Sequence, residues 1–282
     1  MRFCNGVLLC LFIMILSSTE ALGQATVFRL PSRDFDSNNL NIPSKTMGGQ
    51  QFWTDVYFEG GWHIQQNPVT NHHRLLDPQD VRHAWGTLKQ CESVLSAKRA
   101  NGEVLPYQGR VVILLHGLNR THFSMEAMAK TLRSDHGFQT INFQYASSRR
   151  TVQDHAGDLA QIIDGLGPDV SEIHFVAHSM GNLVVRNYLH QRQNLAEGHS
   201  LDPRLTRMVM LGPPNQGSQL ARLFRNNLTF RAVAGVSGQQ LAKSWGDLAE
   251  ELAIPHFPFA IIAGGGETGN LFERAVFDGT SD

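Results

Sequence analysis

Five short apolar bursts mark the second half of the chain: RVVILLHG (Arg110–Gly117), GFQTINFQY (Gly137–Tyr145), EIHFVAHS (Glu172–Ser179), LTRMVMLG (Leu205–Gly212) and FPFAIIAGGG (Phe257–Gly266). Each ends in small or polar residues, the pattern of strands buried on both faces. Between the first three, apolar residues recur at helical spacing over Met125–Leu132 and Val152–Leu166. Strands that alternate with helices predict an α/β fold, a mostly parallel sheet covered by helices on both faces. Ligands in such sheets bind beyond the carboxyl ends of the strands.

Upstream the pattern changes. QFWTDVYFEGGWHIQQN alternates aromatic and polar residues around Gly60 and Gly61 and predicts a hairpin or two short strands. From Asp77, a capping residue ahead of Pro78, the positions Val81, Trp85, Leu88, Cys91 and Leu95 predict one helix that stops at Gly102. Residues 24–47 are rich in Ser, Asn, Asp and Pro, without apolar periodicity, and predict an irregular lead-in. Before them, Arg2, the apolar run Gly6–Leu16 and a small polar stretch read as a signal peptide over residues 1–23. That run of about a dozen apolar residues is short for a span of ~20. The expectation is export, to a periplasm or outside the cell. The domain then covers 48–282, with N-terminal strands and a helix in 48–109 and the catalytic core in 110–282.

Composition narrows the partners. The 282 residues are 41% hydrophobic and 17% charged, enough for one large core. A formal net charge of -1 excludes the basic footprint of a nucleic-acid binder, so the expected partner is a neutral or weakly charged small molecule. Cys4 and Cys10 leave with the signal peptide, and Cys91 remains as a buried thiol on a helix.

The candidate chemistry lies in VAHSMGN. Ser179 follows a predicted strand and precedes a predicted helix, with Ala177 two residues before it and Gly181 two after. A sharp strand-to-helix turn crowds both flanking positions, so both must be small for the serine to stand exposed on the bend. The helix beginning near Met180 turns unpaired N–H groups, and the positive end of its dipole, toward that serine. Such donors stabilise the oxyanion of a tetrahedral intermediate. A serine here is alternatively an ordinary helix cap.

Together the AHSMG elbow (Ala177, His178, Ser179, Met180, Gly181), the HG of LLHGLNR (His116, Gly117) and GPPNQGS (Gly212–Ser218) resemble the serine hydrolases of the α/β-hydrolase superfamily. They are most similar to bacterial lipases and esterases with alanine in the elbow, and similar also to phospholipases and acyl transferases that share HSMG. The resemblance spans Arg110–Ala263. It implies a Ser, acid, His triad in that chain order and a second oxyanion donor, the backbone N–H of Leu118, with His116 supporting its loop. By that pattern the acid is Asp282, with Asp278 and then Glu267 as alternatives. No histidine follows His256, which precedes its strand. The expectation is therefore a sequence ending before the last strand, helix and catalytic histidine of the pattern. A displaced histidine and a non-catalytic relative are the alternatives.

The implied activity is cleavage of carboxylic esters, with acyl lipids as substrates and transient contact with a lipid surface, and with no metal or organic cofactor. A thioesterase or acyl transferase on the same fold, and a binding protein without turnover, remain open. Three other features read as structural. His72 and His73 lack partners at ligand spacing. Gly264–Gly266 lacks the spacing and following helix of a phosphate loop. Arg149 and Arg150 read as a solvated pair, with a substrate anion as the sharper alternative. The sequons at Asn119 and Asn227 matter only in a glycosylating pathway.

Overall fold

Alternating side chains along the first apolar burst set the layering of the core. In a computed structural model that describes residues 42–195, 201–214, 235–241 and 245–263, Val111, Ile113 and Leu115 face one large cluster. Val112 and Leu114 face a second, smaller one. A strand with apolar residues on both faces needs cover on both. All described residues belong to the compact unit Ser37–Asp282.

The described residues build two five-stranded sheets. The first is antiparallel, in the order β1-β5-β4-β3-β2, from β1 (Ser44–Lys45), β2 (Thr54–Glu59), β3 (Trp62–Gln66), β4 (His73–Leu76) and β5 (Val81–Gly86). The predicted hairpin is β2–β3, with Glu59 opposite Trp62. Gly60 and Gly61 have φ of 57° and 82°, the two left-handed positions that a tight hairpin turn demands.

The helix expected from Asp77 is shorter than its pattern. Val81 and Trp85 lie in β5, and α1 runs from Leu88 to Ala100. Asp77 caps a hairpin turn instead: its Oδ1 accepts from the N–H groups of Gln79 (2.8 Å) and Val81 (3.0 Å). This local bonding gives the backbone an alternative to a helix. The helix start belongs to Thr87, which forms a capping box with Gln90. Cys91 and Leu95 are buried against Val56, Trp62, Ile64 and Leu75, and burial pushes the Cys91 thiol up to about 12. The strand Ser44–Lys45 lies in the stretch expected to be irregular.

The second sheet is parallel, in the order β10-β9-β8-β6-β7, from β6 (Gly109–Leu115), β7 (Gln139–Phe143), β8 (Val170–His178), β9 (Leu205–Leu211) and β10 (Phe259–Ile262). The helix α2 (Glu126–His136) contributes Ala129 to the smaller cluster. The helices α3 (Val152–Asp164) and α4 (Met180–Gln193) bury Leu159, Ile162, Leu183 and Val184 in the larger one. A short α5 (Trp245–Glu250) adds Leu248. In register, Leu115 pairs with both Phe143 and Ala177, and Ala177 with Met210. That alignment sets the residues after β6, β7 and β8 side by side at one edge of the sheet. No helix among the described residues is long and apolar enough to cross a membrane.

Candidate active site

Ser179 stands where β8 turns into α4, with φ 51° and ψ −122°. For a residue with a Cβ this is a sparsely allowed conformation, held only when the surroundings impose it. The surroundings here are backbone. Ser179 N–H donates to Leu211 O (2.9 Å), and Ser179 O accepts from Asn182 N (3.0 Å) and Asn182 Nδ2 (2.9 Å). The Ser179 side chain makes no capping bond to α4, unlike Thr87 on α1 and Thr151 on α3.

The small neighbours predicted from the sequence are packed tightly. Ala177 is fully buried. A Cβ on Gly181 would lie 2.9 Å from His116 O, Leu115 O and Leu115 Cβ. One on Gly117 would lie 3.0 Å from His178 Nδ1 and 3.1 Å from Ser179 Cβ. The first turn of α4 and the loop after β6 therefore approach as closely as glycine permits. Gly181→Ala is expected to lower stability by about 1–3 kcal/mol, because the methyl group meets backbone that cannot turn aside. Urea unfolding checks this, and a midpoint equal to the parent's counts against the close approach.

The loop bearing Leu118 is fastened on both sides. His116 is buried and stacks on Tyr145 at 4.1 Å. Its Nδ1 lies 2.9 Å from Gly117 O and its Nε2 3.5 Å from Tyr145 N, a pattern satisfied by the neutral ring protonated on Nδ1. The Tyr145 hydroxyl donates to His116 O. Asn119, at φ 55°, donates its N–H to Ser147 Oγ (3.0 Å), and Gln51 Nε2 donates to Arg120 O (2.7 Å). His122 N–H donates to Gln144 Oε1 (3.0 Å). Leu118 packs against the large core cluster.

The histidines near the elbow are held neutral. Burial pushes His116 down to about 3, and burial also lowers His155 and His178. A histidine with its folded pKa below the ordinary 6.5 stabilises the protein above that value and opposes folding as the pH falls beneath it. The slope from each is at most about 1.4 kcal/mol per pH unit. His122 runs the other way: burial disfavours its charge, but Asp80 and Gln144 outweigh this and raise its pKa. Its contribution is present at low pH and lost as pH rises through the folded value. Burial lowers His73 and His174 as well, and the five lowered histidines outweigh the one raised, so the urea midpoint is expected to fall as pH drops from 6.5 to 5. A flat profile there counts against the neutral buried rings.

The site as read from the sequence is brought together only in part. Ser179, Met180, His178, Gly181, Ala177, His116, Gly117 and Leu118 meet at the carboxyl edge of β6 and β8. Asp278, Asp282 and Glu267 lie outside the described residues, as do residues 1–41, 215–218, Asn227 and Gly264–Gly266. His256 precedes β10, at the amino end of the sheet, and is exposed. Among the described residues no histidine is hydrogen-bonded to Ser179 Oγ, and no group of His, Cys, Asp or Glu is arranged to hold a metal. Arg150 is not a solvated residue: it donates from Nη1 to Asp158 Oδ1 (2.9 Å) and Oδ2 (2.8 Å). Arg149 lies over the Phe52 ring at 5.0 Å. A cleft of about 840 Å³ runs between the first sheet and β7, lined by Asp55, His63, Asp80 and His122 and by none of the elbow residues. Sequence reasoning missed Gln51, Gln144, Tyr145 and Ser147, which carry no motif and act through distant backbone.

The parallel sheet, its strand order and the bend at Ser179 define an α/β-hydrolase fold. The chain belongs to the family described as Domain of unknown function (DUF7379), whose model matches residues 72–239. No curated protein matches the sequence. Among solved structures, the mature form of a Bacillus licheniformis lipase is 20% identical with a TM-score of 0.41, covering 59% of this chain and 71% of that one. A monoacylglycerol lipase of Paleococcus ferrophilus is 15% identical with a TM-score of 0.38, covering 60% and 79%. The phospholipase PlaB of Legionella pneumophila is 25% identical with a TM-score of 0.36, covering 50% of this chain and 34% of that one.

Proposed function

We propose that the protein is a serine ester hydrolase acting through an acyl-enzyme. The observation that carries this reading is Ser179 itself, strained at φ 51° on the bend and bonded to nothing as a helix cap. Its Oγ attacks the ester carbonyl, and the N–H groups of Leu118 and Met180 hold the oxyanion. The carbon–oxygen bond to the alcohol breaks, the alcohol leaves with a proton, and water then hydrolyses the acyl-serine. A base must accept the Ser179 proton and return it. The acid assigned to orient that base is Asp282, with Asp278 as the alternative. The weak net charge supports a neutral ester, and acyl lipids met at a lipid surface are the substrate class. The apolar run Gly6–Leu16 supports export, which the amino-terminal residue of the secreted protein checks.

A fluorophosphonate probe followed by peptide mass spectrometry tests the reading. An adduct on Ser179 with turnover of a short-chain ester supports it. An adduct without ester turnover points to a thioesterase or acyl transferase. No adduct and no turnover overturn the enzyme reading in favour of a binding protein on the same fold.

A further inference from the structure

The loop after β6 and the loop after β7 are joined by one side chain from outside both. Gln51 lies in the segment between β1 and β2, where a turn closed by Phe52 N–H to Gly49 O (3.0 Å) presents it. Its Nε2 donates to Arg120 O (2.7 Å). Its Oε1 accepts from Ser147 Oγ (3.2 Å), Ser148 N (3.2 Å) and Ser148 Oγ (3.0 Å). Ser147 Oγ in turn accepts from the N–H of Asn119 (3.0 Å). The backbone is therefore gripped at Asn119 and Arg120, immediately after Leu118, while Gly117, immediately before it, runs so near the elbow that an added Cβ would come within 3.1 Å of Ser179 Cβ.

We propose that Gln51 is a positioning residue for the oxyanion hole: its side-chain amide ties the Leu118 loop to the Ser147–Ser148 loop and fixes the Leu118 N–H for the transition state. This role rests on the ester-hydrolase reading above. A primary amide suits it because one end donates to a carbonyl while the other accepts from hydroxyl and amide donors. Glutamate keeps the acceptor end and loses the donor, placing a carboxylate oxygen against Arg120 O. Gln51→Glu therefore cuts the tie to the oxyanion loop and spares the tie to Ser147 and Ser148. An oxyanion donor acts only when held where the charge develops, and a misplacement of about 1 Å costs up to ~100-fold in rate.

The test compares the full-length parent, Gln51→Glu and Ser147→Ala. Amide exchange is read on the peptide spanning Leu118–His122, together with the second-order rate of fluorophosphonate labelling and the kcat and KM for a short-chain ester. Both variants are expected to exchange faster over that peptide. Both should label and turn over about 10- to 100-fold more slowly with KM nearly unchanged, and the double variant should show less than the summed loss. A parent that labels no faster than Gln51→Glu, or exchange equal to the parent's, overturns the role of Gln51 alone. A parent that takes no label overturns the hydrolase reading and this role with it. Ser147→Ala guards against a folding defect specific to Gln51→Glu, since it releases Asn119 from the other side of the same tie.

Discussion

A Ser179→Gly variant is expected to be more stable than the parent and, on the ester-hydrolase reading proposed above, to lose nearly all ester hydrolysis. Serine at φ 51° stores strain of about 1–3 kcal/mol, because its Cβ is forced into a region that glycine occupies freely. Glycine gives back roughly 0.5–1 kcal/mol through the greater entropy of the unfolded chain. The difference leaves a net gain of about 1 kcal/mol. In a domain of this size that is a rise of roughly 2–4 °C in Tm. The hydroxyl makes no capping bond that the change would lose. On that reading, removing the Ser179 hydroxyl should lower kcat by at least about 10³-fold, leaving only what the proposed oxyanion donors and binding provide. Ser179→Ala separates the two effects: it should lose activity equally and keep the parent's stability. A Ser179→Gly protein less stable than Ser179→Ala would show that the bend is not strained.

The second large effect concerns stability alone. Arg150→Ala is expected to cost about 3 kcal/mol, the lower end of the range for breaking a buried pair, since the arginine side chain is 28% exposed and the Asp158 side chain 2%. The loss is less the attraction than the carboxylate left behind, buried beside His155 without its partner. Replacing both members with apolar residues, as in Arg150→Met with Asp158→Leu, should recover most of that loss because no charge remains to be desolvated. Chemical denaturation of the single and double variants checks both statements. A single variant within about 0.5 kcal/mol of the parent would place Asp158 in a wetter setting than its burial indicates.

The layering was legible in the chain. The bursts at Arg110, Glu172 and Leu205 carry apolar side chains at consecutive positions, and only a strand covered on both sides uses every one of them. Gly60 and Gly61 announced their hairpin for the same local reason: two adjacent left-handed positions suit glycine. Where two local readings competed, periodicity misled. Val81 and Trp85 fit the helical spacing of Leu88, Cys91 and Leu95, yet Asp77 bonds the turn behind them and β4 offers a strand partner. A capping residue before a proline serves a helix or a turn equally well, and the pairing partner decides. Arg150 followed the same course: on a loop it reads as solvated, and only the return of α3 brings Asp158 beneath it.

For the candidate site the division is sharper. The sequence by itself determined the setting of Ser179, because a serine flanked by Ala177 and Gly181 between strand and helix is a matter of adjacent residues and their sterics. It determined also that His116 and Gly117 stand where a strand gives way to a loop. That β6 and β8 are neighbours, that Gly181 therefore lies against His116 O, and that Gln51 reaches Arg120 were decided by the tertiary structure. The physical reason is range: steric demands of a turn act within a few residues and leave a mark in composition. A hydrogen bond between residues 69 apart leaves none, since any glutamine would read the same until the fold delivers it to its carbonyl.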